Sequence, residues 1–178
     1  MIITVSGKAG SGKSTIAKIL AKKLKLRHYS IGDLMREMAK EKKITLLELN
    51  KIAEKDESID FELDEKLKEL GKKSDNFIVD GRLTAFFIPN ADLRIFLDAD
   101  DKTRATRILK NKRKDEKNLN LADTMKNIQK REESEKIRYL RYYGADYTDK
   151  KLYNKIIDTS KLAPEQIVRL ICDAKKIL

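Results

Sequence analysis

The sequence is short of the residues that staple, break or stack. It has a single cysteine, Cys172, so no disulfide framework can hold the fold, and a reducing, cytoplasmic setting is expected. Only two prolines occur, Pro89 and Pro164, and no low-complexity stretch marks a linker. Tryptophan is absent and aromatics make up 6% of the chain, which leaves little for a base-stacking surface. No apolar run approaches the roughly 20 residues of a membrane span. No basic stretch leads into an apolar one at the N-terminus, so a secretory signal is not expected either. The lone histidine, His28, closes a short strand and is expected on the surface.

What the chain has in quantity is charge. Lysine and arginine number 40 against 29 aspartates and glutamates, a net +11, and 39% of residues are charged. Such an excess suits nucleic acid, an anionic membrane or small phosphorylated ligands, and does not choose among them. A lysine-rich, heat-adapted surface would give the same total. At 178 residues the chain fits one domain with a sizeable core.

Element types alternate along it. IITV at 2–5 reads as a buried strand, and Ile16, Ile19, Leu20 and Leu24 then recur at helical spacing. LRHYS at 26–30 is a short strand, followed by helix over 33–41. Thr45-Leu46-Leu47-Glu48 is a capping box that starts a helix to about 54. A further helix covers 59–71, with Gly71 as its stop. NFIVD at 76–80 and DLRIFLD at 92–98 are strands, the latter with Leu93, Ile95 and Leu97 on one side. Helix from 102 to 111, a polar segment at 112–120, a long helix over 121–143 ending near Gly144, the strand KIID at 155–158 and a helix from Pro164 complete the order. In that last helix Cys172 falls on the apolar side, a core position. Strands separated by helices imply an α/β fold, a parallel sheet with helices on both faces. The helices at 45–54 and 59–71 form a small helical flap.

The first strand runs into GKAGSGKST, which contains Gly7-x-x-x-x-Gly12-Lys13-Ser14, a P-loop in its proper strand–loop–helix setting. The glycines let backbone N–H groups turn inward onto phosphate oxygens, and the helix behind presents unpaired N–H groups and the positive end of its dipole. The loop Gly7, Lys8, Ala9, Gly10, Ser11, Gly12, with Lys13, Ser14 and Thr15, is therefore expected to wrap a nucleoside triphosphate. Lys13 reaches the β- and γ-phosphates, Ser14 reaches Mg²⁺, and the Lys8 side chain is expected on the surface. A plain glycine turn capping a helix would not need the Lys-Ser pair.

P-loops serve switches, motors and kinases alike, so the rest of the chain must say where the phosphoryl group goes. Asp80 ends an apolar strand and occupies the Walker B position, a second candidate for Mg²⁺; in a plain turn it would do no more than cap. Gly81 and Arg82 follow, putting a cation at the same rim. On the long helix Arg131, Glu135 and Arg138 are spaced four and then three apart, one stripe extended by Tyr142. A solvated face of ion pairs would look similar. Here the two arginines are expected to clamp a phosphate while Glu135 orders them or takes a sugar hydroxyl. The segment DKTRATRILKNKRKDEK holds eight basic and three acidic residues, with Arg104 and Arg107 on a helix and Lys112, Arg113 and Lys114 in a loop. Mobile arginines there can close over the transferring group. Ser30-Ile31-Gly32-Asp33-Leu34-Met35-Arg36 gives a tight turn at Gly32, a helix start at Asp33, and Arg36 facing a second anion. Two anion sites imply a phosphorylated acceptor. A monoester is already largely ionised at neutral pH, its second pKa being about 6, so no general base is expected.

These residues resemble the cytidylate kinases, particularly their short archaeal type. The likeness spans nearly the whole chain and rests on GKAGSGKST, YSIGDLMR, FIVDGRL, NADLRIFLDAD, KREESEKIRYLRYYG and DYTDKKLYNKIIDTS. The first is common to many P-loop enzymes; the DGR, REESEKxRY and tail segments are far more specific. The resemblance implies Mg²⁺-dependent transfer from ATP to CMP, and to dCMP, by a P-loop fold with a five-stranded parallel sheet, a flap that binds the monophosphate and a lid. Residues 1–32 and 76–100 would form the core, 33–75 the flap, 102–121 the lid region and 122–178 the C-terminal core. Gly32, Asp33, Arg36, Asp80, Gly81, Arg82, Arg131, Glu135 and Arg138 would line the acceptor side. Lys13, Arg107, Arg131 and Arg113, the last at the lid tip, would serve catalysis. Arg104 would belong to the lid arm. Two departures from the bacterial branch stand out: Leu83 replaces an acidic residue that helps read cytosine, and Glu135 replaces an aspartate. Adenylate or uridylate kinase is the sibling alternative; a nucleotide-hydrolysing switch leaves the second arginine set without a use. Neither nucleic acid nor membrane is an expected partner, and a monomer is.

Overall fold

The computed structural model describes residues 1–72, 76–110 and 120–173. Five strands make one sheet: β1 (Ile2–Gly7), β2 (Arg27–Ser30), β3 (Phe77–Asp80), β4 (Leu93–Asp98) and β5 (Lys155–Asp158). Every pairing is parallel, in the order β2-β3-β1-β4-β5. The first crossover leads leftward to β2, and the later ones return across β1 to β4 and β5. The connections therefore diverge at the carboxyl ends of the central strands, the place where such sheets open a crevice for ligands.

Alternation along the strands divides the core. Ile3, Val5, Ile78, Leu93, Ile95 and Leu97 face α1 (Lys13–Leu24) and α8 (Pro164–Asp173), which contribute Ile16, Leu20, Ile167, Ile171 and the buried thiol of Cys172. Phe77 and Val79 point to the opposite face. They pack under α2 (Ile31–Glu41), α3 (Leu46–Ala53) and α4 (Ser58–Lys72), through Met35, Leu49, Leu63 and Leu67 among others. Thr45 and Glu48 form the expected capping box at α3. Phe96 also faces this side, where it meets Leu83 of the segment before α5 (Thr84–Phe87) and Tyr139 of α7 (Leu121–Tyr143). α6 (Asp101–Lys110) packs on α7 through Ala105, Ile108 and Ile128, with Ala9 of the loop after β1 between them.

The long helix holds more than its neighbours in the sheet. Ser134 Oγ donates to the Asn50 carbonyl at 3.2 Å, Tyr142 Oη to the Ala53 carbonyl at 2.9 Å and Arg141 Nη1 to the Glu54 carbonyl at 3.0 Å. Hydrogen bonds thus tie α7 to the end of α3. Among the described residues no helix is long and apolar enough to cross a membrane.

Two short elements differ from the sequence reading. α5 and a 3₁₀ turn at Lys150–Leu152 were not expected from periodicity, because neither is long enough to show one. α2 begins at Ile31 rather than Asp33, since Ser30 caps it by accepting from the Asp33 N–H.

Candidate functional site

The chain leaves β1 through three glycines at positive φ: Gly7 at 143°, Gly10 at 76° and Gly12 at 97°. Two of them have no room for a side chain. A Cβ on Gly7 would lie 2.1 Å from the Leu97 carbonyl oxygen, and one on Gly10 would lie 2.5 Å from that of Arg104. The loop is thus pressed between β4 and α6, and its residues Ala9 to Thr15 line a cavity of about 360 Å³. Gly7 and Lys8 stand behind the lining: the Gly7 carbonyl accepts from Arg82, and Lys8 Nζ pairs with Asp98 at 3.2 Å.

Lys13 opens α1 and folds back so that Nζ donates to the Lys8 carbonyl at 2.8 Å. Burial drives its ammonium well below the ordinary lysine range and the Arg82 guanidinium adds to this, with Asp80 and Glu135 pulling the other way. A dehydrated ammonium beside a guanidinium is relieved by an anion. In the next residue, Ser14, Oγ lies 2.7 Å from Asp80 Oδ2 at the end of β3. A hydroxyl and a carboxylate beside a phosphate loop are the hard oxygen donors that suit Mg²⁺, which keeps its remaining positions for phosphate and water.

Asp80 is more tightly held than its strand-end position suggested. Ser30 Oγ is 3.3 Å from Oδ2, and His28 Nε2 is 2.6 Å from Oδ1. The expectation that His28 lies on the surface is therefore corrected. β2 pairs with β3 so that Ser30 sits opposite Asp80, and His28, two residues back, points to the same side and is only partly exposed. The alternation His-x-Ser was the available signal.

In the same cavity, Arg82 and Arg131 grip one buried carboxylate. Arg82 Nε is 2.7 Å from Glu135 Oε2, and Arg131 Nε is 2.9 Å from Glu135 Oε1. Burial alone would raise the Glu135 carboxyl; the two arginines outweigh it and hold it at about 2. Arg82 is pushed upward, its burial overridden by Glu135. Its Nη1 donates to Gly7, while Nη2 is buried and among the described residues has no partner. Buried guanidinium nitrogens are rarely left so, and this one belongs to a cavity residue. Gly32 and Arg36 line the same space, with Arg36 paired to Asp33, which does not. Arg107 also lines it, held by Thr159: Nη1 to Oγ1 at 2.9 Å and Nη2 to the carbonyl at 2.6 Å.

Two arginines stand apart from their expected places. Arg138 is fully buried and outside the cavity lining; Nη1 lies within 3.0 Å of both Asp60 oxygens and Nη2 is 2.9 Å from Asn50 Oδ1. In this structure it binds α7 to α3 and α4. The reason is tertiary: Arg138 lies off the stripe of Arg131, Glu135 and Tyr139 that lines the cavity, and meets Asp60 and Asn50. Arg104 is likewise buried, donating to the Ala9 carbonyl, Glu132 and Asp101, so in this structure it braces the P-loop from behind. Arg113, with Lys112 and Lys114, lies outside the described residues.

The sequence reading missed the far wall. Asp60, Leu63, Asp64 and Leu67 of α4, with Met35 and Tyr139, complete the cavity. Carboxylates at 60 and 64, on the apolar face of an amphipathic helix, were the visible clue.

The P-loop, the paired arginines in the same cavity and the doubly wound sheet define a P-loop small-molecule kinase, a phosphotransferase. The comparisons narrow this. A profile of the Cytidylate kinase-like family matches residues 2–161. A cytidylate kinase from Archaeoglobus fulgidus is 38% identical over 177 residues, covering 99% of this chain and 96% of that protein. One from Methanobrevibacter smithii is 39% identical over 178 residues, covering 100% of each. In structure, shikimate kinase from Bacteroides thetaiotaomicron superposes with a TM-score of 0.65 at 14% identity, over 99% of this chain and 98% of that one, which bears on the fold alone. The chain belongs to the cytidylate kinase-like family.

Proposed function

We propose that the protein transfers the γ-phosphoryl group of ATP to CMP or dCMP, giving ADP and CDP or dCDP. The observation that carries this reading is the presence of two cationic sets in one cavity: Lys13 with the P-loop, and Arg82 with Arg131, both locked on Glu135. A hydrolase needs only the first.

The backbone N–H groups of residues 9–15 and the N-terminus of α1 hold the triphosphate, and Lys13 exchanges its Lys8 carbonyl for phosphate oxygen. Arg36, Arg82 and Arg131 hold the monoester, whose ionised oxygen attacks in line, so no side chain has to take a proton. Glu135 keeps two guanidinium groups parked before substrate arrives, which spares reorganisation during transfer. Ser14 and Asp80 would hold Mg²⁺, which would supply charge neutralisation to the phosphates. Arg107 reaches the triphosphate side from α6. Helices α2–α4 act as the flap, and the lid is assigned to the part of 102–121 beyond the braced Arg104, of which residues 111–119 lie outside the described residues. ATP and CMP or dCMP are the partners, and the protein works as a cytoplasmic monomer.

The test is initial-rate phosphotransfer from ATP to CMP, dCMP, UMP, AMP and GMP. CMP and dCMP should lead kcat/KM by about 10² or more. Equal turnover of AMP and CMP, or turnover of none, would overturn the reading.

A further inference from the structure

Four carboxylates line the cavity: Asp60, Asp64, Asp80 and Glu135. Three are committed. Asp80 is held by Ser14, Ser30 and His28, Glu135 by two arginines, and Asp60 accepts from Arg138 at both oxygens. Asp64 differs. Tyr143 Oη donates to its Oδ2, and no donor among the described residues meets Oδ1. The residue is 4% exposed and sits beside Leu63 and Leu67 on the wall that α4 presents. An anion has no reason to approach such a wall, so the part of a ligand that meets it must be flat, largely apolar and able to donate a hydrogen bond.

We infer that Asp64 is the residue that reads the base: its Oδ1 accepts from the 4-amino group of cytosine, and Tyr143 positions the carboxylate by holding Oδ2. The inference rests on the function proposed above and assigns it a specificity determinant on α4, where the sequence after Asp80-Gly81-Arg82 offers only Leu83. Discrimination follows from the chemistry of the contact. Uracil carries a carbonyl where cytosine carries the amine, and an acceptor facing an acceptor leaves both without a donor in a water-poor site. Leu63, Leu67 and Met35 supply the apolar contact for the ring.

Asp64→Asn tests this, since the amide keeps an oxygen for Tyr143 and offers an N–H₂ toward the cavity. We expect kcat/KM for CMP to fall at least about tenfold, the UMP-to-CMP ratio of kcat/KM to rise by about 10² or more, and the KM for ATP to change less than about twofold. Equal loss for CMP and UMP, or loss for neither, overturns the inference. If Asp64→Asn does not fold, Tyr143→Phe serves: the KM for CMP should rise several-fold with that for ATP unchanged, and an unchanged KM for CMP overturns the inference. Failure of the wider reading looks different. There the unsubstituted protein itself shows no preference for CMP over UMP, AMP or GMP; if that preference holds while the Asp64→Asn ratio does not move, only the assignment of Asp64 falls.

Discussion

Lys13 is partly buried, and among the described residues its ammonium donates to a loop carbonyl and to no carboxylate. That state is tolerable only if a polyanion completes it. Lys13→Ala should lower kcat by about 10²–10³ or more while leaving the fold intact, measured as steady-state turnover beside a thermal melt. Arg131→Ala removes a guanidinium that the proposed function assigns to the acceptor, so kcat/KM for CMP should drop by about 10² with the KM for ATP little changed. Asp64 makes a third prediction, about stability. Burial, with Asp60 nearby, raises its carboxyl from an ordinary 3.8 to about 6, although Tyr143 and Lys68 oppose this. A raised carboxyl binds its proton more tightly in the folded protein. Its stabilising contribution is therefore present below about pH 3.8 and lost as pH rises through 6. Asp64→Asn should raise the Tm above pH 7, with the gain shrinking toward pH 4. At this scale the sequence was most legible where a residue type and a fixed spacing are both required, as at Gly7, Gly12, Lys13 and Ser14. It was least legible at His28 and Asp64, whose roles come from strands and helices remote in the chain.

Among the elements, α7 shows both the reach and the limit of pattern reading. Its bounds follow from the Asn120 cap and from Gly144 in the left-handed region, both visible as residue types. Its stripe of Arg131, Glu135 and Arg138 was visible too, but a helix surveyed alone does not say where its neighbours stop. Arg131, Glu135 and Tyr139 line the cavity, whereas Arg138, off that stripe, meets Asp60 of α4. Arg138 is thus a structural tie, and its loss would strand the buried Asp60 carboxylate, itself raised by burial against the pull of Arg138. Arg138→Ala should cost about 3–5 kcal/mol of stability by denaturant unfolding. A variant that unfolded normally yet lost only affinity for CMP would restore Arg138 to the phosphate site. The strands were legible throughout, because a parallel sheet buried on both faces writes itself as short apolar runs. α5 was not, since a four-residue helix has no period to detect.

For the whole molecule, the α/β class, the parallel sheet and the place of the site at its carboxyl edge all followed from the order of elements. The strand order did not, because any strand can follow any crossover until packing chooses. One consequence of the assembled cavity is control of water. The proposed transfer requires the γ-phosphate to be kept from water, so ATP hydrolysis in the absence of acceptor should run at least about 10²-fold below transfer. Hydrolysis at a comparable rate would mean that the γ-phosphate meets water as readily as it meets CMP. The central claim is that two nucleotides are held face to face in one cavity, with Lys13 and the Glu135-locked arginines on opposite sides of the passing group. The most direct measurement is inhibition by a bisubstrate molecule, adenosine and cytidine joined 5′ to 5′ through a pentaphosphate. The account predicts one molecule bound per chain, competing with ATP and with CMP alike and far tighter than either. Competition with ATP alone, leaving CMP binding untouched, would contradict it.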